Sequence, residues 1–212
     1  MGGRKRRRLR SLPRARLYAV GREPSSRAAA GTRRDAAGKP PTVPLARGRA
    51  ACRTSRCEIS RPGCGIDLGG VAKGYAVDRA VAALRDRGIE HALVGAGGDL
   101  YALGRSPAGE PWRIGIRSPD DSDGLVGTLQ AENSAIATSG DYVQFFLYGG
   151  RRYHHLLDPT TGEPRRSAQR SVTVRADSCM AADAGATATF GMSHADADGL
   201  LARRGGRVEH RG

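Results

Sequence analysis

Asp183 and Thr187 stand four residues apart in CMAADAGATAT, a run that reads as helix, so their side chains face one way. A carboxylate and a hydroxyl on one helix face are hard oxygen donors of the kind that suit Mg²⁺. That ion takes few protein groups and completes its octahedron with water and substrate phosphates. Spacing alone leaves a structural or solvent-facing role for the pair open. Well upstream, Asp67 precedes a Gly69-Gly70 turn, and Lys73 follows it at a helix start. Backbone amides freed by glycine, with a lysine at a helix N-terminus, suit a phosphate. Flanking carboxylates suit a metal or a ribose better than a bare anion.

Gly95, Gly97 and Gly98 form a second turn, GAGGD, closed by Asp99. A strand rather than a helix follows it, which argues against a dinucleotide fingerprint and for close backbone approach to a ligand or another strand. Thr138-Ser139-Gly140-Asp141 offers hydroxyls and a turn. His155, before Leu156 and the turn DPTTG, reads on its own as structural, as a lone histidine beside a strand usually is. Asp78 lies a full turn beyond Lys73 and faces either a nucleotide or water. Lys73 itself reads equally as a solvated surface lysine.

The elements that must position these residues follow from periodicity. Val77, Ala80, Val81 and Leu84 recur at helical spacing, predicting a helix over 71–87 with Gly88 as its stop. Short strands are predicted at 91–94, 99–103, 112–117, 125–129 and 135–138. Gly149-Gly150 joins 142–148 to 152–157 as a hairpin, and Val172 and Val174 mark another strand. Ser178 is positioned to cap a helix running to Met192. Gly185 inside it should loosen it, by about 1 kcal/mol relative to alanine. The last residues, from His194 on, decay into polar sequence without a closing strand. Strands interrupted by two helices read as α+β, a mixed sheet with flanking helices.

Charge divides the chain. Residues 1–63 carry 18 Lys and Arg against 3 Asp and Glu, a balance of +15, while residues 64–212 carry 17 against 18, a balance of −1. The net +14 therefore belongs to the N-terminal segment alone, where RKRRRLR is followed by Pro, Arg, Ala, Gly and Ser without apolar periodicity. Too little apolar surface exists there to offset ordering entropy, so residues 1–63 read as a disordered basic tail and 64–212 as the globular part. A nucleic-acid role through the tail ranks last, because a basic tail without an aromatic platform is usually solvated. No secretory core or stretch of about 18 apolar residues is present, which gives a cytoplasmic expectation and no membrane span. The four cysteines form no CxxC pair, and Cys179 stands where a buried small residue would serve.

Four blocks carry a family resemblance: IDLGGVAKGYAVDRAVAALRDRGIEHALVGAGGD at 66–99, AIATSGDY at 135–142, HLLDPTTGEP at 155–164 and SVTVRADSCMAADAGATATFGM at 171–192. In this order they resemble the FAD:protein FMN transferase (ApbE) family. The resemblance implies the family's α+β fold and a transfer of FMN from FAD to a threonine hydroxyl of a target redox protein, with release of AMP. It implies Mg²⁺ held by Asp183, Thr187 and the Gly70 carbonyl. Asp67, Lys73, Asp78, Gly97, Gly98, Asp99, Ser139, Gly140, His155 and Leu156 would contact FAD, and His155 and Asp183 would serve catalysis. Family members are longer, with further strands before Gly65. The abrupt start of the resemblance there reads as an N-terminal portion replaced through a frameshift or misplaced start. A flavin-binding homologue without turnover, and an FAD pyrophosphatase, are the alternative readings.

Overall fold

The computed structural model describes residues 66–212 except Ser122, and ahead of them only four short strands. These are β1 (Tyr18–Ala19) paired antiparallel with β2 (Ala46–Arg47), and β3 (Ala50–Arg53) paired with β4 (Arg56–Ile59). These ladders are not expected in a segment read as a disordered tail. The expected disorder of residues 1–63 otherwise lies outside the described residues.

Alternating burial sorts the rest into layers. A five-stranded antiparallel sheet runs in the order β13 (Gly206–Arg211), β12 (Ser171–Ala176), β9 (Ser134–Gly140), β6 (Asp99–Leu103), β5 (Ala92–Ala96). On one face, Tyr101 and Leu103 of β6, Ala135 and Ala137 of β9 and Ala176 of β12 meet α1 (Ala72–Arg85) and α2 (Cys179–Thr189) through Val77, Val81, Cys179 and Ala182. On the other, Ala102 and Ile136 meet Ile114 and Ala131 of a two-stranded ribbon, β7 (Trp112–Arg117) with β8 (Leu125–Ala131). Trp112 is half-buried beside this second cluster, and its indole donates to the Leu103 carbonyl at 3.1 Å. A separate hairpin, β10 (Phe145–Tyr148) with β11 (Arg151–His154), turns at Gly149-Gly150 as expected, with shorter strands than predicted.

Two expectations are corrected at the C-terminal end. The polar residues after Met192 form a third helix, α3 (His194–Ala202), and then the closing strand β13. Ser193 caps α3 by accepting from the Asp196 amide at 3.2 Å. The helix's buried residues are only Ala197 and Leu201, too few to show as an apolar period. Leu201 packs with Val172, Val174 and Ala186. This explains Gly185: a Cβ there would lie 2.8 Å from Leu201 Cδ2 and 3.2 Å from Val174 Cγ1. Glycine at that position lets α3 and β12 close on α2 rather than loosening it.

Helix α2 begins as expected, with the Ser178 hydroxyl accepting from the Ala181 amide at 3.2 Å. It stops at Thr189, three residues short of the expected end, where Phe190 turns out of the helix. Arg165 donates to the Ala188 carbonyl at 2.8 Å and also to the Phe190 carbonyl, placing a cation on the terminal carbonyls. Helix α1 lies within its predicted span. Gly88, at φ +75°, ends it, with the Ile89 amide closing back on the Leu84 carbonyl at 3.0 Å.

Candidate functional site

The strand period that buries the core also delivers the polar site. Asp99 shares the helix-facing side of β6 with Tyr101 and Leu103, and Ser139 shares that of β9 with Ala135 and Ala137. Because β6 and β9 are antiparallel, the start of one and the end of the other lie at the same edge of the sheet. The first turn of α1 and the second half of α2 cover that edge.

Lys73 is the hub. Its Nζ lies 3.0 Å from Asp99 Oδ2 and 3.1 Å from Asp183 Oδ1, and 3.5 Å from the Gly69 carbonyl. Asp183 Oδ2 accepts from the Gly74 amide at 3.2 Å. Asp99 and Asp183 are 1% and 2% exposed, so two buried carboxylates share one half-exposed ammonium. Burial and the Asp183 charge push the Asp99 carboxyl up to about 6, although Lys73 and the Thr138 amide pull the other way. Burial works against the Lys73 charge, but Asp99 and Asp183 outweigh it and hold its pKa above the ordinary value.

Thr187 completes the corner. Its hydroxyl lies 3.2 Å from Ser139 Oγ, and a Cβ at Gly70 would come within 3.1 Å of both Thr187 Oγ1 and Cγ2. A side chain at Gly70 would therefore press on Thr187, which would have to give by a few tenths of an ångström. The second glycine turn lies against the same corner. Gly97 and Gly98, at φ +57° and +96°, form the two-residue turn between β5 and β6, in a conformation that side chains resist. A Cβ at Gly97 would lie 3.1 Å from Lys73 Cδ, so the missing side chain leaves room for the lysine stem.

The structure thus gathers Lys73, Asp99, Asp183, Thr187, Ser139 and the Gly70 and Gly97 backbone. Other expected site residues stand apart from the cluster. Asp67 accepts from the Gly69 amide at 2.6 Å and shapes the turn before α1. Asp78 commits both oxygens to α2, accepting from the Cys179 amide at 2.7 Å and the Met180 amide at 2.9 Å. Gly140 lies against the Tyr142 ring, and Leu156 is buried. His155 is exposed, and its Nδ1 lies 3.3 Å from the Gln144 carbonyl. His154 holds the structural place beside it, buried, with Nε2 3.0 Å from the Arg165 carbonyl and Nδ1 accepting from the Leu156 amide at 3.2 Å. Asp158 accepts from the Thr160 and Thr161 amides at 2.7 and 3.0 Å, which sets the DPTTG turn. Cys179 is buried as expected, and burial pushes its thiol up to about 12.

The Asp78 geometry carries a prediction. Its carboxylate satisfies two amides at the N-terminus of α2, where a negative charge is favoured. Asp78→Ala should cost about 2 kcal/mol of stability. Urea unfolding of the full chain reads this directly, and a loss below about 0.5 kcal/mol would mean that the cap is unimportant.

Comparison with known proteins places this arrangement. The model of the ApbE family matches residues 16–210. The chain belongs to the ApbE family. The match starts well before Gly65, so the ApbE region takes in most of the basic segment as well as the four motif blocks. Similar proteins include a FAD:protein FMN transferase of Klebsiella pneumoniae strain 342, 37% identical over 135 residues, covering 63% of this chain and 41% of that protein. A FAD:protein FMN transferase of Vibrio cholerae is 43% identical over 123 residues, covering 58% of this chain and 37% of the relative. The chain therefore spans less than half the length of these curated ApbE relatives. Among solved structures, the ApbE protein of Thermotoga maritima superposes with a TM-score of 0.66 at 37% identity, over 72% of this chain and 50% of that one. The flavin transferase ApbE of Vibrio cholerae gives 0.65 at 35% identity, over 75% and 50%. The α+β fold of this chain is the ApbE fold.

Two participants were missed by sequence reasoning. The Gly74 amide, which orients Asp183, carries no sequence signal beyond a glycine in a helix. The N-cap role of Asp78 depends on a contact across 101 residues, which no local pattern reveals.

Proposed function

We propose that this ApbE chain carries the catalytic corner of a FAD:protein FMN transferase, moving FMN from FAD to a threonine hydroxyl of a target protein and releasing AMP. The observation that carries the reading is the buried Asp183–Lys73–Asp99 cluster beside Thr187. It combines anionic and hydroxyl oxygens for a cation with an ammonium for a phosphate.

The donors fit Mg²⁺. Among the described residues no three His, Cys, Asp or Glu side chains converge, which disfavours a cation that needs a full protein cage. Asp183 and Thr187, with the Gly70 carbonyl, would hold Mg²⁺, leaving the rest of its shell to water and diphosphate. Bound there, the ion would supply charge neutralisation for the diphosphate as the phosphorus–oxygen bonds rearrange.

The chain's own residues provide the rest. The Lys73 ammonium, fixed at the N-terminus of α1, presents a second positive charge to the diphosphate. Val71, before the helix, makes no side-chain cap, and the first turn carries no acidic residue to repel an anion. The acceptor oxygen bonds to the FMN-side phosphorus, the bond from that phosphorus to the bridging oxygen breaks, and AMP leaves with that oxygen. The threonine proton passes to a base. His155 suits this part because a proton on Nδ1, directed at the Gln144 carbonyl, leaves Nε2 free to accept.

FAD titration of the full chain by fluorescence, with and without Mg²⁺ and followed by an AMP assay, tests the reading. Saturable binding and Mg²⁺-dependent AMP are expected, with FMN retained on an acceptor protein. FMN appearing free in equal amount would assign hydrolysis instead. A folded chain that bound no FAD would overturn the proposal. Among the described residues no helix is long and apolar enough to cross a membrane.

A further inference from the structure

The cluster has more negative charge than its lysine can balance, and its two carboxylates are not equivalent. Asp183 is on α2 beside Thr187, where the proposed cation binds. Asp99 is on the sheet, at the closing pair of the β5–β6 turn, opposite Ala96. Its Oδ1 accepts from the Thr138 amide at 3.4 Å. Its Oδ2 faces Lys73 at 3.0 Å, an ionic contact rather than an aligned hydrogen bond, and that buried atom has no other partner among the described residues. Nothing among these contacts draws Asp99 toward Thr187.

We propose that Asp99 is a positioning residue that acts through Lys73: it holds the ammonium on the sheet side so that Asp183 is free to accept a divalent cation. The inference rests on the reading that Asp183 binds that cation. An ammonium between two carboxylates is drawn to both. When a dication reaches Asp183 it repels Lys73, and Asp99 provides the counter-charge that keeps the ammonium within reach of the diphosphate. Without the Asp99 charge, Asp183 is the only carboxylate among the described residues left to Lys73, and the ammonium competes with the cation for it.

This competition has a signature that ordinary electrostatics lacks. Removing a negative charge near any cation site weakens binding somewhat, whatever lysine does. Weakening by competition must vanish when the lysine is neutral. Mn²⁺ binding to the full chain, followed through the paramagnetic resonance of the free ion, provides the readout without any need for turnover. Asp183→Asn should abolish binding. Asp99→Asn should weaken it about tenfold, within the range expected of directly coupled neighbours. In a Lys73→Met background, Asp99→Asn should change it by no more than about twofold. An Asp99→Asn effect of equal size in both backgrounds, or none in either, would overturn the positioning role. Mn²⁺ affinity that is unmeasurable in the parent chain, or unaffected by Asp183→Asn, would refute the cation reading itself, and the Asp99 inference with it.

A measurement on the unsubstituted protein guards against a variant that does not fold. The chain has three lysines, Lys5, Lys39 and Lys73, so acylation of Lys73 is readily followed by mass spectrometry. An ammonium kept on Asp99 should acylate slowly with or without saturating Mn²⁺. Acceleration at Lys73 of about tenfold on adding Mn²⁺ would mean that the cation expels it, and that Asp99 does not hold it.

Discussion

Asp183→Asn is expected to reduce Mg²⁺-dependent AMP release on the order of 10³-fold, the several kcal/mol of charge stabilisation attributable to a bound cation. The substitution keeps the volume of the side chain and leaves a carbonyl oxygen for the Gly74 amide, which now donates to Asp183 Oδ2 at 3.2 Å. The junction of α1 and α2 should therefore survive. What is lost is the negative charge proposed to attract the cation and half of the pair that surrounds Lys73. Asp183→Ala is the less informative change, since it also leaves a buried amide unpaired at about 1–3 kcal/mol. Steady-state AMP release across a Mg²⁺ series, with circular dichroism as a check on folding, measures the effect. Activity within about tenfold of the parent would remove Asp183 from the cation site.

Gly74→Ala is expected to destabilise the fold by about 3 kcal/mol, although alanine is the better helix former by roughly 1 kcal/mol. A Cβ at this position would sit 2.3 Å from the Cys179 carbonyl oxygen and 2.5 Å from its carbon, both backbone atoms that cannot rotate away. The helices must part, and the contacts that cross the gap stretch together: the Gly74 amide on Asp183, and Asp78 on the first amides of α2. In a chain of this size such a loss corresponds to a melting temperature lower by about 10 °C. FAD affinity should fall with it, because Lys73 and Asp183 are on the two separating helices. Denaturant unfolding decides the matter. A midpoint equal to or above the parent's would show that the helix propensity outweighs the clash.

The parts of this architecture that were legible in sequence are those written in local periodicity. Val77 and Val81 announce α1, Tyr101 and Leu103 alternate with the residues facing the ribbon, and Ser178 marks the start of α2. What was illegible depends on partners distant in the chain. Helix α3 buries only Ala197 and Leu201, and β13 carries Arg, Glu and His on an edge strand, where Arg175 and Arg207 pair with Glu209. Neither has an apolar rhythm, and each becomes structure because β12 is already there to pair and pack with it. Gly185 looked like a weakness for the same reason, since its justification is the Leu201 side chain across the gap. At the site, motif spacing identified Lys73, Asp183 and Thr187 as residues to watch. It could not distinguish Asp99, which meets Lys73, from Asp78, which turns to α2.

Lys73 and Asp183 are separated by 110 residues, with most of the sheet between them. At typical translation rates of about 5–20 residues per second, the ammonium is synthesised roughly 5–20 s before its carboxylate partner. Through that interval the nascent chain holds Lys73 and Asp99 with no corner to place them in, and β12 and α2 must arrive before the two helices can meet. Non-local pairing of this kind is slow to form. The proposed diphosphate site should thus be among the last things to form as the protein folds, with nothing for a ligand to grip in the folding transition state. FAD and its cation should accordingly slow unfolding while leaving the folding rate unchanged.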